Sequence, residues 1–414
     1  MNRHTPTVTG SPLHDKRSMF ETVAGLSTFF ARRSSRPPGV ESVRSRHSAL
    51  LFVGDLTWPG REAPAVLLAP NLRASVGLVP NLEGPLLGCG SEWRLRPGAT
   101  CGLWNGPGTR DLLAAMQTEL VGGANNHLTD FRHGARATAA ELRQRGIAIG
   151  GVGESRDEAR RPVLISLADG AQVLVLFLGD RRVGCIPPGP GRPGVNAMSE
   201  RASRVWVERL RAAFPDAIVV VSVHAGEELQ PHPTPYVRTW FRELAAAGAD
   251  VVVGHHPHLP HGAEKLGRSW IFHSLGNFLM AARDYVGVSL GYSQASSSSI
   301  GVSVSRDGVS VIRISADPEA GSVRQDGDAF KPELLLGAET VEDAEYAAWY
   351  RERRTVSWWY PLWTGRESAV AAFTKTCLLR AVFIARHLVV RARAPRRTMR
   401  TLRLPSRAVS RSLK

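Results

Sequence analysis

Cysteine and long apolar runs are both scarce in this chain of 414 residues. The four cysteines form no CxxC pair and no regular spacing, which argues against a disulfide framework and favours a reducing compartment. No apolar run reaches about 18 residues, so we expect no transmembrane helix. The N-terminus also lacks the apolar segment of a secretory signal. These absences predict a cytoplasmic protein, with a peripheral position at the membrane as an option.

Acidic residues are nearly missing from the two ends of the chain, and this explains its net charge of +15. Residues 1–48 contain eight basic and three acidic residues, and residues 366–414 contain thirteen basic residues and one acidic residue. The region 49–365 therefore has a charge of −2. Because this middle region is nearly neutral, the basic pI does not predict what it binds.

Changes of composition predict four regions. Residues 1–46, which are rich in Ser, Arg and Pro, are predicted to form a disordered basic arm. Residues 47–318 are predicted to form the main domain, and 319–364 an extension that packs on it. Residues 365–414 are predicted to form a basic amphipathic helix and tail.

The predicted C-terminal helix has two interpretations. Between residues 375 and 393, basic and apolar side chains occupy opposite halves of a helical wheel. Such a helix suits either an anionic membrane surface or docking on the domain by its apolar face, and the pattern leaves both open. Nucleic acid is the weaker partner, because no binding motif accompanies the basic tail.

Short apolar runs alternate with helical periodicity in the main domain. Strands are predicted at 49–53, 173–178, 218–223, 251–253 and 270–272, and helices at 110–120, 134–145, 199–213 and 234–247. This alternation predicts an α/β layered domain. Two further alternating segments, 299–305 and 309–316, flank Arg306-Asp307-Gly308 and predict a β-hairpin.

Polar residues recur where predicted strands end. Asp55, His224 and the segment 255–258 each follow such a strand, and Asn125-Asn126-His127 lies in a loop. Ligand sites in α/β sheets form at strand ends. Imidazole, carboxylate and amide groups together suit Mn, Fe, Zn or Co. A single histidine of this kind is usually a hydrogen-bonded loop residue, but four such segments predict a metal site.

Six motifs then occur in a characteristic order. They are Phe52-Val53-Gly54-Asp55-Leu56, Pro80-Asn81-Leu82-Glu83-Gly84-Pro85-Leu86, Ala124-Asn125-Asn126-His127-Leu128-Thr129-Asp130, His224-Ala225-Gly226-Glu227-Glu228, Gly254-His255-His256-Pro257-His258 and Ser274-Leu275-Gly276-Asn277-Phe278. Over about residues 49–285, the chain resembles the CapA family of poly-γ-glutamate capsule-synthesis proteins, within the calcineurin-like metallophosphoesterase superfamily.

The resemblance implies a four-layer α/β/β/α sandwich, here followed by a C-terminal helical extension, with two divalent transition metal ions (Mn, Fe or Zn). By position, the implied ligands are Asp55 for the first metal, Glu83 as the bridge, Asn126 and His224 for the second metal, and His256 and His258 for one metal each. Thr57 stands where the superfamily has a histidine ligand, so the first metal has fewer strong ligands.

The resemblance also implies that His127 acts as a general acid or oxyanion stabiliser, with Asp130 fixing its tautomer. An ordinary hydrogen bond within the loop is the alternative for this pair. Glu228 either orients His224 or a substrate or is a surface carboxylate. Asn277 either caps a turn or lines the site.

The implied activity is metal-dependent hydrolysis, with a phosphoester or a poly-γ-glutamate-type polymer as substrate, in capsule or cell-surface polymer biosynthesis. The alternative is a non-catalytic subunit of a membrane-associated polymer synthesis or export complex. The order of motifs does not separate these two functions, whereas metal content and activity on a phosphodiester do.

Overall fold

The computed structural model describes residues 39–87, 94–96, 102–281, 284–285, 288–289, 298–335 and 343–353. By its internal contacts the chain divides into Met1–Gly39 and Val40–Lys414, and the findings below concern the second unit. The helix predicted within 365–414 lies outside the described residues, as do Cys89 and Cys101. Cys185 is a buried free thiol.

The described elements alternate along the chain, strands outnumbering helices. The strands are β1 (Glu41–Arg44), β2 (Ala49–Thr57), β3 (Ala65–Leu67), β4 (Val76–Leu82), β5 (Leu120–Gly122), β6 (Ala148–Gly150), β7 (Val152–Gly153), β8 (Val163–Ser166), β9 (Gln172–Gly179), β10 (Gly194–Val195), β11 (Ile218–His224), β12 (Val251–His255), β13 (Ala263–Leu266), β14 (Ser269–Phe272), β15 (Asn277–Met280), β16 (Asp284–Tyr285), β17 (Val288–Ser289), β18 (Ser298–Ser305), β19 (Gly308–Asp317) and β20 (Ser322–Phe330). The helices are α1 (Pro70–Ser75), α2 (Pro107–Ala115), α3 (Gly134–Gln144), α4 (Arg156–Ala159), α5 (Glu200–Ala213), α6 (Pro235–Ala246) and α7 (Asp343–Arg353).

A seven-stranded mixed sheet has the order β1-β8-β9-β11-β12-β14-β13. Its central strands β9, β11, β12 and β14 are parallel. They are continuous apolar runs because both of their faces are buried. In register, His224 at the end of β11 lies opposite Gly179 of β9 and His255 of β12. The carboxyl ends of these strands therefore meet at one edge of the sheet.

The second, nine-stranded sheet has the order β3-β20-β19-β18-β2-β4-β5-β6, and β15 pairs with the C-terminal part of β2. Strands β2, β4, β5 and β6 are parallel, whereas β18, β19 and β20 form an antiparallel meander. Asp55 of β2 pairs with Asn81 of β4 on one side and with Asn277 of β15 on the other. This register collects three polar side chains at one position across the sheet.

Three apolar clusters hold these elements together. Leu50 and Phe52 of β2 join a cluster with residues of both sheets, such as Val175 and Val220. Their neighbours in β2 point the other way, into a cluster with α2 and α3. A third cluster joins α5 and α6 to the smaller sheet. The predicted α/β class is confirmed, with two large mixed sheets.

The predicted strands and most helices are confirmed within a few residues. The hairpin is also confirmed, with Arg306 and Asp307 as its loop and Gly308 at a positive φ of 124°. The helix predicted for 110–120 is wrong at its end, because α2 stops at Ala115 and Leu120 begins β5. Leu120 continues the helical spacing, but Gln117 has a φ of 48° and breaks the helix.

Two region boundaries differ from the prediction. Residues 41–44, placed in the predicted arm, form β1 and pair with β8. Strand β20 follows the predicted end of the main domain at residue 318 yet pairs with β19 in the larger sheet. Both strands lie at or near a sheet edge and are largely polar, so apolar alternation does not reveal them.

The residues beyond β20 contact the domain through α7. The Tyr346 hydroxyl donates a hydrogen bond to the Pro233 carbonyl at 2.7 Å. Arg238 of α6, which is buried, forms an ion pair with Asp343 at the start of α7. Within the described part of the chain, no helix has the length and hydropathy needed to span a membrane.

The packing between the sheets generates a stability prediction. Gly150 of β6 lies against the ring of Phe177 of β9, and a Cβ added at Gly150 would lie 2.1 Å from a ring carbon. We expect Phe177→Ala to lower the free energy of unfolding by about 3–5 kcal/mol. Gly150→Ala should cost about 1–3 kcal/mol alone and less when Phe177 is already Ala. Urea denaturation of the two single variants and the double variant measures this coupling.

The matched control is Leu67→Ala, because the Leu67 side chain is 64% exposed. This change should stay within about 0.5 kcal/mol of the wild type. Strictly additive effects of Gly150→Ala and Phe177→Ala would contradict the contact between the sheets.

Candidate metal centre

The edges of the two sheets bring all six sequence-predicted ligand residues together. Asp55 comes from β2, Glu83 follows β4 and Asn126 follows β5, all in the larger sheet. His224 ends β11, and His256 and His258 follow β12 in the smaller sheet. Beside Asp55, Gly54 permits a close approach of β15, since a Cβ there would lie 2.0 Å from the Gly276 carbonyl oxygen.

Glu83 lies at the middle of this group and is fully buried. Its Oε1 is 3.8 Å from Nε2 of His224 and 3.8 Å from Nε2 of His127, and its Oε2 is 4.0 Å from Nδ1 of His258. Neither oxygen accepts a hydrogen bond from a described residue. A buried carboxylate without donors is costly unless a cation or a proton compensates it. The residues therefore fit a bound metal ion.

The first ligand group consists of Glu83, His224, His256 and Asn126. His224 Nε2 lies 2.8 Å from Asn126 Oδ1 and 3.1 Å from His256 Nδ1. Two ligand atoms that are each about 2.1 Å from one ion lie roughly 3–4 Å apart. The distances from His224 Nε2 to the nearest donor atoms of Asn126, His256 and Glu83 are close to that range. The four side chains could therefore bind one ion after small adjustments.

The second ligand group consists of Asp55, Glu83 and His258. His258 Nδ1 lies 3.4 Å from Asp55 Oδ2. Glu83 belongs to both groups and presents a different oxygen to each. The Thr57 hydroxyl donates a hydrogen bond to the Glu83 backbone carbonyl at 2.6 Å. Thr57 thus holds the Glu83 segment and adds no ligand to this smaller group.

The sequence left two roles open for Glu228, orienting a site residue or lying at the surface, and two for Asn277, capping a turn or lining the site. Glu228 is exposed, and one of its carboxylate oxygens lies within 4.8 Å of ligand atoms of His256 and His258. Asn277 is buried, and its Oδ1 lies 2.8 Å from His258 Nδ1. Asn277 therefore lines the site and contacts the same ring nitrogen, Nδ1, that lies near Asp55 and Glu83.

Burial and charge set the protonation states at this edge. Burial, together with the Asp55, Glu228 and Asp130 carboxylates, raises the pKa of Glu83 well above its usual range. Burial alone would raise the pKa of Asp55 too, but hydrogen bonding to His255 and the nearby imidazoles lower it below its usual range.

The imidazoles of the first group are neutral for the same physical reason. Burial is the largest cause that lowers the pKa of His256 to about 4. Burial and the neighbouring His256 lower the pKa of His224 well below its usual value. At neutral pH both rings are therefore in the neutral form that binds a metal ion.

Asn81 is a site residue that the sequence did not reveal. Its Nδ2 donates a hydrogen bond to Asp55 Oδ1 at 2.7 Å and lies 3.1 Å from His224 Nδ1, and its Oδ1 accepts one from Asn125 at 3.2 Å. Asn81 thus connects a ligand of each group. Its position two residues before Glu83 was an available signal, because alternate residues of a strand share a face.

His255 contacts the site from behind the ligands. Its Nδ1 lies 3.4 Å from Asp55 Oδ1, so it supports Asp55. That His255 is not itself a ligand stays a prediction, because its Nδ1 is as near to Asp55 as that of His258. Two other buried histidines lie apart from the ligand groups: His261 Nε2 is 2.8 Å from the Gln230 carbonyl oxygen, and His273 Nε2 is 3.4 Å from Glu264 Oε2.

The predicted pair of His127 and Asp130 is in contact. His127 Nδ1 lies 2.6 Å from Asp130 Oδ2, and its Nε2 faces Glu83. Asn125 Oδ1 accepts hydrogen bonds from the backbone N–H groups of His127 and Leu128, which shapes the turn. One imidazole nitrogen is therefore held by a carboxylate while the other points toward the candidate metal centre.

The amino-acid sequence is similar to that of a known protein family. Residues 61–282, more than half of the chain, match the model of the bacterial capsule synthesis protein family PGA_cap. The chain belongs to this family. The matched segment contains every predicted site residue except Asp55, which lies just before it.

Curated relatives match shorter stretches. The PGA biosynthesis protein CapA of Bacillus subtilis is 30% identical over 170 residues, which is 41% of this chain and 44% of the relative. A probable polyglutamine synthesis accessory protein of Mycobacterium tuberculosis is 30% identical over 244 residues, 56% of this chain and 62% of the relative. The alignments thus span less than two thirds of these relatives.

Among solved structures, the chain compares with GAP50, the anchor in the inner membrane complex of Plasmodium. The sequence identity is 10% and the TM-score 0.34, over 73% of this chain and 94% of the other. An overlap this low supports no conclusion about the fold or the activity.

His256 provides the first test of the centre. We expect the protein purified after metal-replete expression to retain a transition metal, and His256→Ala to lose it. The affinity for the metal ion should fall by more than roughly 10- to 100-fold, which is the loss typical when a residue that orients a ligand is mutated. Elemental analysis by mass spectrometry measures the metal content.

The control for this experiment is His133→Asn. His133 is exposed and adopts a left-handed φ of 62°, which asparagine tolerates. Equal metal loss in both variants would contradict the assignment of His256 as a metal ligand. A wild-type protein without any transition metal would contradict the metal centre itself.

Asn81→Ala tests the amide between the two groups. Because Asp55 loses a hydrogen-bond donor and His224 loses a packed neighbour at Nδ1, metal affinity should fall about 10- to 100-fold. Asn81→Ser keeps a short donor and should lose less. Competition with a chelator measures both affinities, and unchanged affinity in Asn81→Ala with the fold intact by circular dichroism would rule out this positioning role.

Proposed function

We propose that this chain is a metal-dependent hydrolase with a metallophosphoesterase-like, four-layer arrangement that takes part in capsule or cell-surface polymer biosynthesis. The observation that carries the proposal is Glu83, a buried carboxylate without a hydrogen-bond donor among the described residues, placed between two groups of ligand-type side chains. The three apolar clusters support the layer order helices, sheet, sheet, helices.

The ligand set fits two divalent ions such as Mn, Fe or Zn. Asn126, His224 and His256 would hold one ion, Asp55 and His258 the other, and Glu83 both. Bound ions of this kind supply Lewis-acid activation of the attacking water and of the substrate. The mixed nitrogen and oxygen donors do not select among these metals.

His127 is the residue we assign to proton transfer or charge stabilisation. Asp130 holds Nδ1 of the ring and leaves Nε2 directed at the centre. A ring oriented in this way can donate a proton from Nε2 to a leaving group, or a hydrogen bond to an oxygen on which negative charge develops. Its partly exposed position also lets the proton exchange with solvent.

The substrate class follows from the family and remains a proposal. Members of the matched family are described as capsule synthesis proteins, and one relative is named for PGA biosynthesis. These names favour a bond of a poly-γ-glutamate-type polymer as the substrate, whereas a phosphoester is the substrate that the superfamily resemblance implies. A peripheral position at the membrane, through residues 365–414, stays a prediction because those residues lie outside the described ranges.

One observation favours a second candidate function. At the position where the resemblance implies a histidine ligand for the group of Asp55, Glu83 and His258, the Thr57 hydroxyl donates to a backbone carbonyl instead. A centre that binds a metal ion in only one of the two ligand groups would suit a non-catalytic subunit of a membrane-associated polymer synthesis or export complex. One metal per chain without hydrolysis of any probe would favour this candidate.

Activity of His127→Gln tests the hydrolase proposal. The metal-replete wild type should hydrolyse bis(p-nitrophenyl) phosphate or a γ-glutamyl peptide. His127→Gln should lower kcat by about 10²- to 10⁴-fold, because the ring supplies the proton or the charge stabilisation. The metal content of this variant should match the wild type, since His127 belongs to neither ligand group.

His133→Asn again serves as the control and should keep full activity. Full activity in His127→Gln would remove this assignment. A metal-replete wild type that hydrolyses neither probe would contradict the hydrolase proposal.

A further inference from the structure

A second recess with a distinct chemistry opens beside the α5 N-terminus. It is a cavity of about 210 Å³. The residues that line it include three arginines, Arg156, Arg160 and Arg181, and apolar residues such as Pro187 and Val195. We call these residues the arginine pocket. None of them belongs to the ligand groups of the metal centre.

The positive charge of the arginine pocket is only partly compensated. Arg156 and Arg181 have no carboxylate oxygen within 4.0 Å among the described residues, and Arg160 reaches only the highly exposed Asp157, at 3.6 Å. Glu200, at the start of α5, is paired with Arg182. The carboxylate of Glu200 is therefore already engaged by a residue outside the pocket lining.

One loop connects the pocket with the metal centre. The backbone N–H of Asp180 donates to the His224 carbonyl oxygen at 2.9 Å, so the loop that follows β9 starts beside a candidate ligand. Arg181 comes next and lines the pocket, where its Nε donates to the Ala197 carbonyl oxygen at 3.1 Å. Further along the loop, a Cβ on Gly184 would lie 3.7 Å from Cβ of Asn126. One loop therefore both lines the pocket and contacts two residues of the metal centre.

We propose that the arginine pocket is an oxyanion subsite that binds a carboxylate or phosphate group on a short apolar stem. Guanidinium groups bind both anions through paired, charge-assisted hydrogen bonds, and the apolar wall suits the stem. As a substrate subsite it rests on the proposed function. The proposal that the pocket binds anions depends only on the residues that line it and their charges, and not on the proposed hydrolase function.

Isothermal titration of the full-length, metal-replete protein with two probes tests the proposal. A γ-linked glutamate trimer presents carboxylates, and propyl phosphate presents a phosphate on a short apolar stem, so the two arms distinguish the sources. Arg156→Gln/Arg181→Gln should raise the Kd of the preferred probe about tenfold or more, since two charged donors are lost. Arg156→Gln alone should act in the same direction with a smaller effect.

Arg201→Gln/Arg209→Gln is the charge-matched control. Both residues are exposed on α5 outside the pocket lining, and the net charge changes equally. We expect its Kd to equal that of the wild type. Equal weakening in both double variants, or no binding of either probe to the wild type, overturns the subsite. Binding does not require turnover, so a protein without hydrolase activity still gives a decisive result here.

Discussion

The buried carboxylate of Glu83 is the charge around which the edge of both sheets is organised. It is surrounded by imidazoles, the carboxylate of Asp55 and an amide oxygen, and no described residue donates a hydrogen bond to it. Burial and the nearby carboxylates raise its pKa. Such an arrangement is unfavourable for an ionised group unless a cation supplies the missing interaction. The donor set, the strand ends and the supporting amides are all consistent with that requirement.

The backbone is irregular where the ligands are placed. The pairing of β2 with β4 shifts register between Val53 and Asp55, and that of β15 with β2 shifts beyond Asn277. His256 and His258 have positive φ angles of 95° and 60°. Bulges and unusual φ angles cost free energy and concentrate at functional sites, where they redirect side chains. Here they turn side chains of two different sheets toward Glu83.

Neutral amides provide much of the support. Asn81 links Asp55 with His224, Asn125 holds Asn81 and the turn that carries His127, and Asn277 faces His258. An amide orients a ligand without adding a charge to a site that already contains several ionisable groups. Thr57 has the same kind of role, because it holds the backbone of Glu83 where the superfamily resemblance implies a ligand.

The sequence by itself determined the α/β class, most strand and helix positions and the set of ligand-type residues. These depend on local signals: apolar runs, helical spacing and the order of short motifs. It did not reveal β1 and β20, because strands that are paired near an edge and stay polar have no apolar alternation. It also did not reveal Asn81 as a link between the groups.

Only the tertiary structure decided which oxygen of Glu83 faces which group, that Thr57 is directed at a backbone carbonyl, and that Arg156 and Arg181 line one cavity. The reason is physical. Each of these contacts joins residues far apart in sequence, and their distances depend on how strands pair within a sheet and how the two sheets and their loops pack, which no local pattern records.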